Sequence, residues 1–161
     1  MTDANAHGFT SSIQLVIASP PERVYEALVD EIDRWWDPSH SYSGKAENFY
    51  IEAKPGGCFC ERMAANGGVE HMRVVLVQPG KHLRLSGGLG PLQGVAAAGS
   101  MDFSLQPAEN NSTRLSYTYV VGGYRKGGFK EWSEVVDSVQ AGQLARLKKY
   151  VETGSPVSDK E

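Results

Sequence analysis

The sequence predicts an α+β domain: an antiparallel sheet covered by one long C-terminal helix. Three observations carry this. Lys130 to Thr153 keeps a helical period throughout and stops at Gly154. Between Asn48 and Val121, short strand-like segments follow one another across brief turns, the pattern of an antiparallel meander. Eighteen glycines and eight prolines supply those turns.

Residues 1–11 are expected to be a flexible lead-in. Ser12 to Ala18 alternates, with Ile13, Leu15 and Ile17 on one face, and reads as the first strand. Ser19-Pro20-Pro21-Glu22 has the form of a capping box, with Ser19 as N-cap, Pro20 as first helical residue and Glu22 as third. Val24, Ala27 and Leu28 are the apolar face of that helix. Asp33 to Asp37 adds a short second helix carrying Trp35 and Trp36, ended by Pro38.

Strands are expected at Asn48–Ala53, Cys58–Met63, Val69–Gln78, His82–Ser86, Ala98–Gln106 and Thr113–Val121. The last is the clearest, with Leu115, Tyr117, Tyr119 and Val121 alternating against Arg114, Ser116, Thr118 and Val120. Asn110-Asn111-Ser112-Thr113 contains overlapping glycosylation sequons and is read as a hairpin turn. Residues 12–153 make a single domain, and residues 154–161 a flexible polar tail.

With 161 residues, the chain suits one domain that buries about two-thirds of its unfolded surface, enough for a core without metal or disulfides. Sixteen Lys and Arg against nineteen Asp and Glu leave a net charge of −3, which argues against a nucleic-acid partner held by phosphate contacts. No apolar run reaches the length of a membrane span. Residues 1–11 show neither a basic nor an apolar signal region, so the chain as it stands is expected in the cytoplasm, with a periplasmic home if an export signal has been removed.

Cys58 and Cys60 stand two apart in a predicted strand. Neighbours at that spacing rarely close a disulfide, and the expectation is two quiet, partly buried thiols. C-x-C lacks the second ligand pair of a structural zinc site. No motif implies a metal or a cofactor, and the glycine-rich stretches lack the strand–loop–helix setting of a phosphate loop.

Candidate site residues come from three places. On the terminal helix, Trp132, Val135, Val136, Val139, Leu144, Leu147, Tyr150 and Val151 span one arc, with Gln140 and Gln143 inside it. Buried amides are costly unless bonded, so either they bond backbone and loop groups, or the helix lines a cavity and Gln143 faces a ligand. A five-residue loop between the strands at 58–63 and 69–78 would pair Met63 with Val69, Glu61 with His71 and Phe59 with Arg73. A carboxylate, an imidazole and a guanidinium would then share the inner face, as a ligand-binding or proton-transfer group or as a structural polar network. Trp35, Trp36, His40, Tyr42, Phe49 and Tyr50 cluster early in the chain, as pocket gate or as edge core. With Met101 and Phe103 from the inner face of their strand, the expected ligand-binding set is Trp35, Trp36, Tyr42, Phe59, Glu61, His71, Arg73, Met101, Phe103, Trp132, Val136, Val139 and Gln143.

Several stretches together resemble the START-like helix-grip superfamily, more closely the group related to the activator of Hsp90 ATPase, alongside polyketide cyclases. They are Ala18-Ser19-Pro20-Pro21-Glu22-Arg23-Val24-Tyr25-Glu26-Ala27-Leu28, Trp35-Trp36, Pro55-Gly56-Gly57-Cys58-Phe59, Val77-Gln78-Pro79-Gly80-Lys81-His82-Leu83-Arg84-Leu85 and Thr113-Arg114-Leu115-Ser116-Tyr117-Thr118-Tyr119, followed by the long last helix. The resemblance spans residues 12–152. It implies a curved antiparallel sheet gripping the C-terminal helix, with a cavity between them. It also implies a bacterial protein that binds lipids, sterols, hormones or polyketides, or catalyses cyclisation or hydrolysis, or acts on Hsp90. It carries no catalytic set.

Three functions follow as expectations. The first is a module that binds a small hydrophobic or amphipathic molecule in the cavity, without catalysis. The second is a cyclase, dehydratase or hydrolase using Glu61 and His71 as acid and base, which requires the two side chains to meet within hydrogen-bond reach inside the cavity. The third is a protein-interaction domain, which predicts a collapsed cavity and a large exposed apolar patch. A homodimer is compatible with each.

Overall fold

The computed structural model describes residues 2–157. An eight-stranded antiparallel sheet is formed by β1 (Thr2–Ala4), β2 (Gly8–Ile17), β3 (Phe49–Ile51), β4 (Cys58–Arg62), β5 (Gly68–Gln78), β6 (His82–Ser86), β7 (Ala96–Ala108) and β8 (Ser112–Tyr124). The helices are α1 (Pro21–Asp30), α2 (Ile32–Trp35) and α3 (Lys130–Thr153). Short 3₁₀ turns occupy Pro38–His40, Ala46–Asn48 and Gly90–Gly94. The order across the sheet is β1-β2-β8-β7-β6-β5-β4-β3. The sheet is curved, and its inner face is covered by the helices, giving the expected helix-grip architecture.

Alternation places the core. Leu83, Leu85, Met101, Phe103, Leu105, Leu115, Tyr117, Tyr119 and Val121 all point inward and are buried. α1 buries Val24, Ala27, Leu28 and Val29 against them. The last turns of α3 add Leu144, Leu147 and Tyr150. Gly154, at φ +80°, ends α3 by donating its N–H to the Tyr150 carbonyl at 2.8 Å. Among the described residues no helix is long and apolar enough to cross a membrane.

Several expectations change. The lead-in is not flexible through residue 11: Thr2–Ala4 is an edge strand, and β2 already begins at Gly8. Phe9 supplies the reason, since it is buried against Tyr119 and Phe129 with ring centroids 6.3 and 6.1 Å away. Of the expected tail, residues 158–161 lie outside the described residues. Ser19 is not a cap. Pro20 is the N-cap at ψ 155°, because the following Pro21 drives the residue before it to extended backbone. The Ser19 carbonyl instead accepts from Thr113 Oγ1 at 2.7 Å, tying α1 to β8.

β8 also runs on through Gly122 and Gly123. Gly123 sits at φ +146°, and a Cβ there would meet the Ala96 carbonyl oxygen at 2.0 Å, so only glycine lets the ladder continue. The 110–113 stretch is a hairpin turn, with Asn110 and Asn111 both left-handed at φ +57° and +55°.

The cysteines are the largest departure: Cys58 and Cys60 are joined in a disulfide, not free thiols. The flat-strand argument failed because β4 is contracted there. Its ladder with β5 shifts register between Phe59 and Cys60, and the two cysteine Cα atoms lie 5.5 Å apart, within disulfide range.

Candidate functional site

The β4–β5 ladder is the foundation. It pairs Arg62 with Gly68, Glu61 with Val69 and Cys60 with Glu70, then Phe59 with Met72 and Cys58 with Arg73. His71 is therefore an extra residue in a β-bulge. Bulges re-aim side chains, and here both His71 and its neighbour Met72 are buried. Glu61 reaches His71 from a neighbouring position. The expected direct pairing of the two does not occur, but the contact does.

Glu61 is 1 % exposed. Its carboxylate accepts from His71 Nε2 at 2.9 Å, from the Tyr42 N–H at 3.2 Å and from the Ser43 N–H at 2.6 Å. Burial alone would raise its pKa, but hydrogen bonds from Ser43, His71 and Tyr42 outweigh that and hold it below the ordinary carboxylate value. His71 shifts down as well: burial disfavours the imidazolium more than the Glu61 carboxylate favours it. The pair at neutral pH is thus carboxylate and neutral imidazole. Nε2 carries the proton toward Glu61, which leaves Nδ1 as a lone-pair acceptor. Nδ1 is buried and has no hydrogen-bond partner. Phe49, Phe59 and Tyr42 surround the imidazole, with ring centroids 5.3, 5.3 and 5.9 Å away.

His71 opens onto a cavity of about 430 Å³. One wall is the first half of α3, with Trp132, Val135, Val136, Val139 and Gln140. A second is the segment after α2, Trp36 and Ser39 to Tyr42. A third is the β6–β7 loop, Leu89 to Leu92. The two halves of α3 differ for this reason. Gln143, Leu144, Leu147 and Tyr150 are buried, whereas Trp132, Val136 and Val139 are only half-buried because they face the cavity. Among the described residues the wall carries no Asp, Glu, Lys or Arg.

Both loops are held by named bonds. Gln143 Oε1 accepts from the Asp37 N–H at 2.9 Å, and Arg146 Nε donates to the Trp35 carbonyl at 2.8 Å. Trp36 Nε1 donates to the His40 carbonyl at 3.0 Å. On the opposite side, Tyr119 Oη accepts from the Leu89 N–H and donates to the Gly87 carbonyl, both at 3.0 Å.

Of the predicted site residues, Trp36, Tyr42, His71, Trp132, Val136 and Val139 line the cavity, and Glu61 stands directly behind His71. Phe59 packs on His71 within the core. The others are placed elsewhere. Trp35 is core, its Nε1 donating to the Ala27 carbonyl. Met101 and Phe103 are buried in the sheet core, Phe103 against Tyr117. Gln143 serves the loop backbone rather than the cavity. Arg73 is on the outer face in an exposed ion pair with Glu70, because the bulge shifts the register by one and sets it opposite Cys58 instead of on the Phe59 face.

Sequence reasoning missed Leu89 to Leu92, which read only as part of a glycine- and proline-rich loop from Gly87 to Gly94. Gln140 had a signal, a polar residue inside the apolar arc of α3. Among the described residues no group of three His, Cys, Asp or Glu side chains is placed to hold a metal ion.

Residues 18–152 match the family described as "Activator of Hsp90 ATPase homolog 1-like protein". No curated protein matches the chain. Similar folds occur in a conserved protein of unknown function from Enterococcus faecalis, at 15% identity and TM-score 0.69, covering 100% of this chain and 81% of that one. The Aha1 dimer from Colwellia psychrerythraea is similar at 20% identity and TM-score 0.64, covering 90% of this chain and 97% of that one. DynU16, from the dynemicin biosynthetic locus, is similar at 16% identity and TM-score 0.61, covering 91% of this chain and 48% of that one. At these identities the likeness is one of fold.

Proposed function

The chain belongs to the Activator of Hsp90 ATPase homolog 1-like family, and on that premise we propose that it binds a small, neutral, amphipathic molecule in the cavity beneath the first half of α3. One observation carries the reading: among the described residues, a mostly apolar wall without Asp, Glu, Lys or Arg contains a single buried acceptor without a partner, His71 Nδ1. A buried acceptor left unpaired is costly, so a ligand hydroxyl or N–H placed against it gains a hydrogen bond in a dry setting. Apolar pockets with few convergent polar groups are the usual form of small-molecule sites. The cavity is not collapsed, which disfavours the protein-interaction reading.

A matched pair of probes tests this. Titrating the protein with 2-naphthol and with 2-methoxynaphthalene, read by tryptophan fluorescence, compares one ring system with and without a donor. The naphthol is expected to bind about tenfold more tightly, roughly 1.4 kcal/mol. His71→Phe removes that difference. Equal affinities for the wild-type protein would overturn the assignment.

A second reading, acid–base catalysis, is favoured by the fixed tautomer. Glu61 holds the Nε2 proton, which leaves Nδ1 of this cavity-lining residue as a fixed base, and neither side chain points to solvent. Its test is deuterium uptake at the central carbon of acetylacetone, compared between wild-type protein and His71→Phe. Equal rates would remove the catalytic reading and leave the binding one standing.

A further inference from the structure

The Cys58–Cys60 disulfide has little to offer as a staple. Its two half-cystines are separated by two positions, and the stabilisation expected from a cross-link falls as the closed loop shortens. Its surroundings suit chemistry better. Cys60 is 9 % exposed, whereas Cys58 is more accessible, which makes Cys58 the favoured side of approach for an incoming thiol. Arg73 is directly across the ladder from Cys58, so the two side chains share the outer face of the sheet. Once the bond is open, Arg73, itself paired with Glu70, favours the thiolate at Cys58, the thiol that re-forms the bond.

The pair is also tied to the cavity floor. Cys58 and Cys60 bracket Phe59, whose ring centroid is 5.3 Å from that of His71, and Glu61 follows Cys60 directly. Their Cα atoms are 5.5 Å apart. Two residues of regular strand would span about 6.6 Å. The contraction coincides with the register shift that inserts His71 as the extra residue.

We infer that Cys58–Cys60 is a thiol–disulfide exchange site whose redox state sets the geometry of the Glu61–His71 pair. The co-reactant is a small dithiol. Its thiolate attacks Cys58 Sγ, a mixed disulfide forms, and the Cys58–Cys60 bond breaks with Cys60 leaving as the thiolate. The second thiol of the reagent then closes on its own mixed-disulfide sulfur and releases Cys58. Two electrons and two protons pass to the protein, and the dithiol becomes a cyclic disulfide. Reduction frees β4 to lengthen toward regular strand spacing, which moves Phe59 and Glu61 relative to His71.

The folded protein is treated with millimolar dithiothreitol without denaturant and followed by alkylation and mass spectrometry. In parallel, the His71 imidazole nitrogens are followed by NMR, assigned by their loss in His71→Gln. Reduction in the native state accompanied by a shift of the His71 signals is the expected result. Reduction only on unfolding would overturn the exchange site. Reduction with unmoved His71 signals would overturn the coupling to Glu61–His71. The single-cysteine variants identify the attacked sulfur: Cys60→Ser is expected to take up glutathione from its disulfide at least tenfold faster than Cys58→Ser. The reverse order would overturn the role given to Cys58. None of these readouts depends on the cavity holding a ligand.

Discussion

His71 Nε2 and Glu61 Oε2 lie 2.9 Å apart although the two residues are not cross-strand partners, since Glu61 pairs with Val69. They meet diagonally across the ladder, with His71 the residue inserted at the bulge. Glu61 also ties the segment after α2, through the Tyr42 and Ser43 N–H groups, to the imidazole on the cavity wall.

Acid sensitivity follows from this pair. His71 titrates below its free value, so between the folded and unfolded values the unfolded chain binds more protons. Its contribution is complete above about pH 6.5 and is lost as pH falls from there. Glu61 is also depressed, and its contribution is complete above about pH 4.5 and lost on further acidification. Urea midpoints are expected to be flat above about pH 7, to decline below about 6.5 and to fall again below about 4.5. In His71→Phe the first decline should vanish, and its persistence would place it on another group.

Glu61→Gln keeps the shape of the side chain but replaces a charged acceptor of three hydrogen bonds by an amide that must also donate. The expected cost is about 2–3 kcal/mol in chemical denaturation. His71 should also lose its fixed tautomer, visible in its imidazole nitrogen shifts. An unchanged midpoint would mean that the carboxylate adds nothing beyond its volume.

Legibility in the sequence varies by residue. α3 is legible to its ends, because a sustained helical period and a following glycine are local signals. The Glu61–His71 contact follows in the sequence from a register that the structure does not keep. An unbroken ladder puts Arg73 beside Phe59, and one bulge sends Arg73 outside while keeping His71 inside. A bulge leaves no mark in alternation when both neighbouring residues are tolerated inside. The same contraction hides the disulfide. Leu89 is held at the cavity by its bond to Tyr119, a partner far along the chain that no local pattern reports.

Gln143→Leu separates the two readings of that amide. Leucine would leave the Asp37 N–H without its acceptor, and about 1–2 kcal/mol should be lost. Gln143→Glu retains the acceptor and should recover much of it. Thermal denaturation of the two variants decides this, and a Leu variant as stable as the parent would contradict the bond's role.

Tyr119→Phe removes both bonds from Tyr119 to the β6–β7 loop. The expected cost is about 1–3 kcal/mol. Faster amide exchange at Leu89 in this variant, against unchanged exchange in β8, would localise the effect to the loop.

Val136→Trp should occlude the cavity without disturbing the packed end of α3. Val136 is half-buried and faces the open space, so stability should change by less than about 1 kcal/mol. Naphthol binding, by contrast, should be lost in the same fluorescence titration. Retained binding would place the probe outside the cavity.

The pairing of β2 with β8 also decides the order of assembly. From β3 to β8 consecutive strands pair, but β2, apart from its short ladder with β1, pairs across the sequence with β8, where Leu15 meets Leu115 and Phe9 meets Val121. Beyond its three-residue ladder with β1, β2 therefore has no partner until β8 is available. Pairing between such distant segments slows folding, because the intervening loop must close before its contacts form. A chain stopped before β8 would present β2 as an open, apolar edge, which makes the last third of the sequence the guardian of the first.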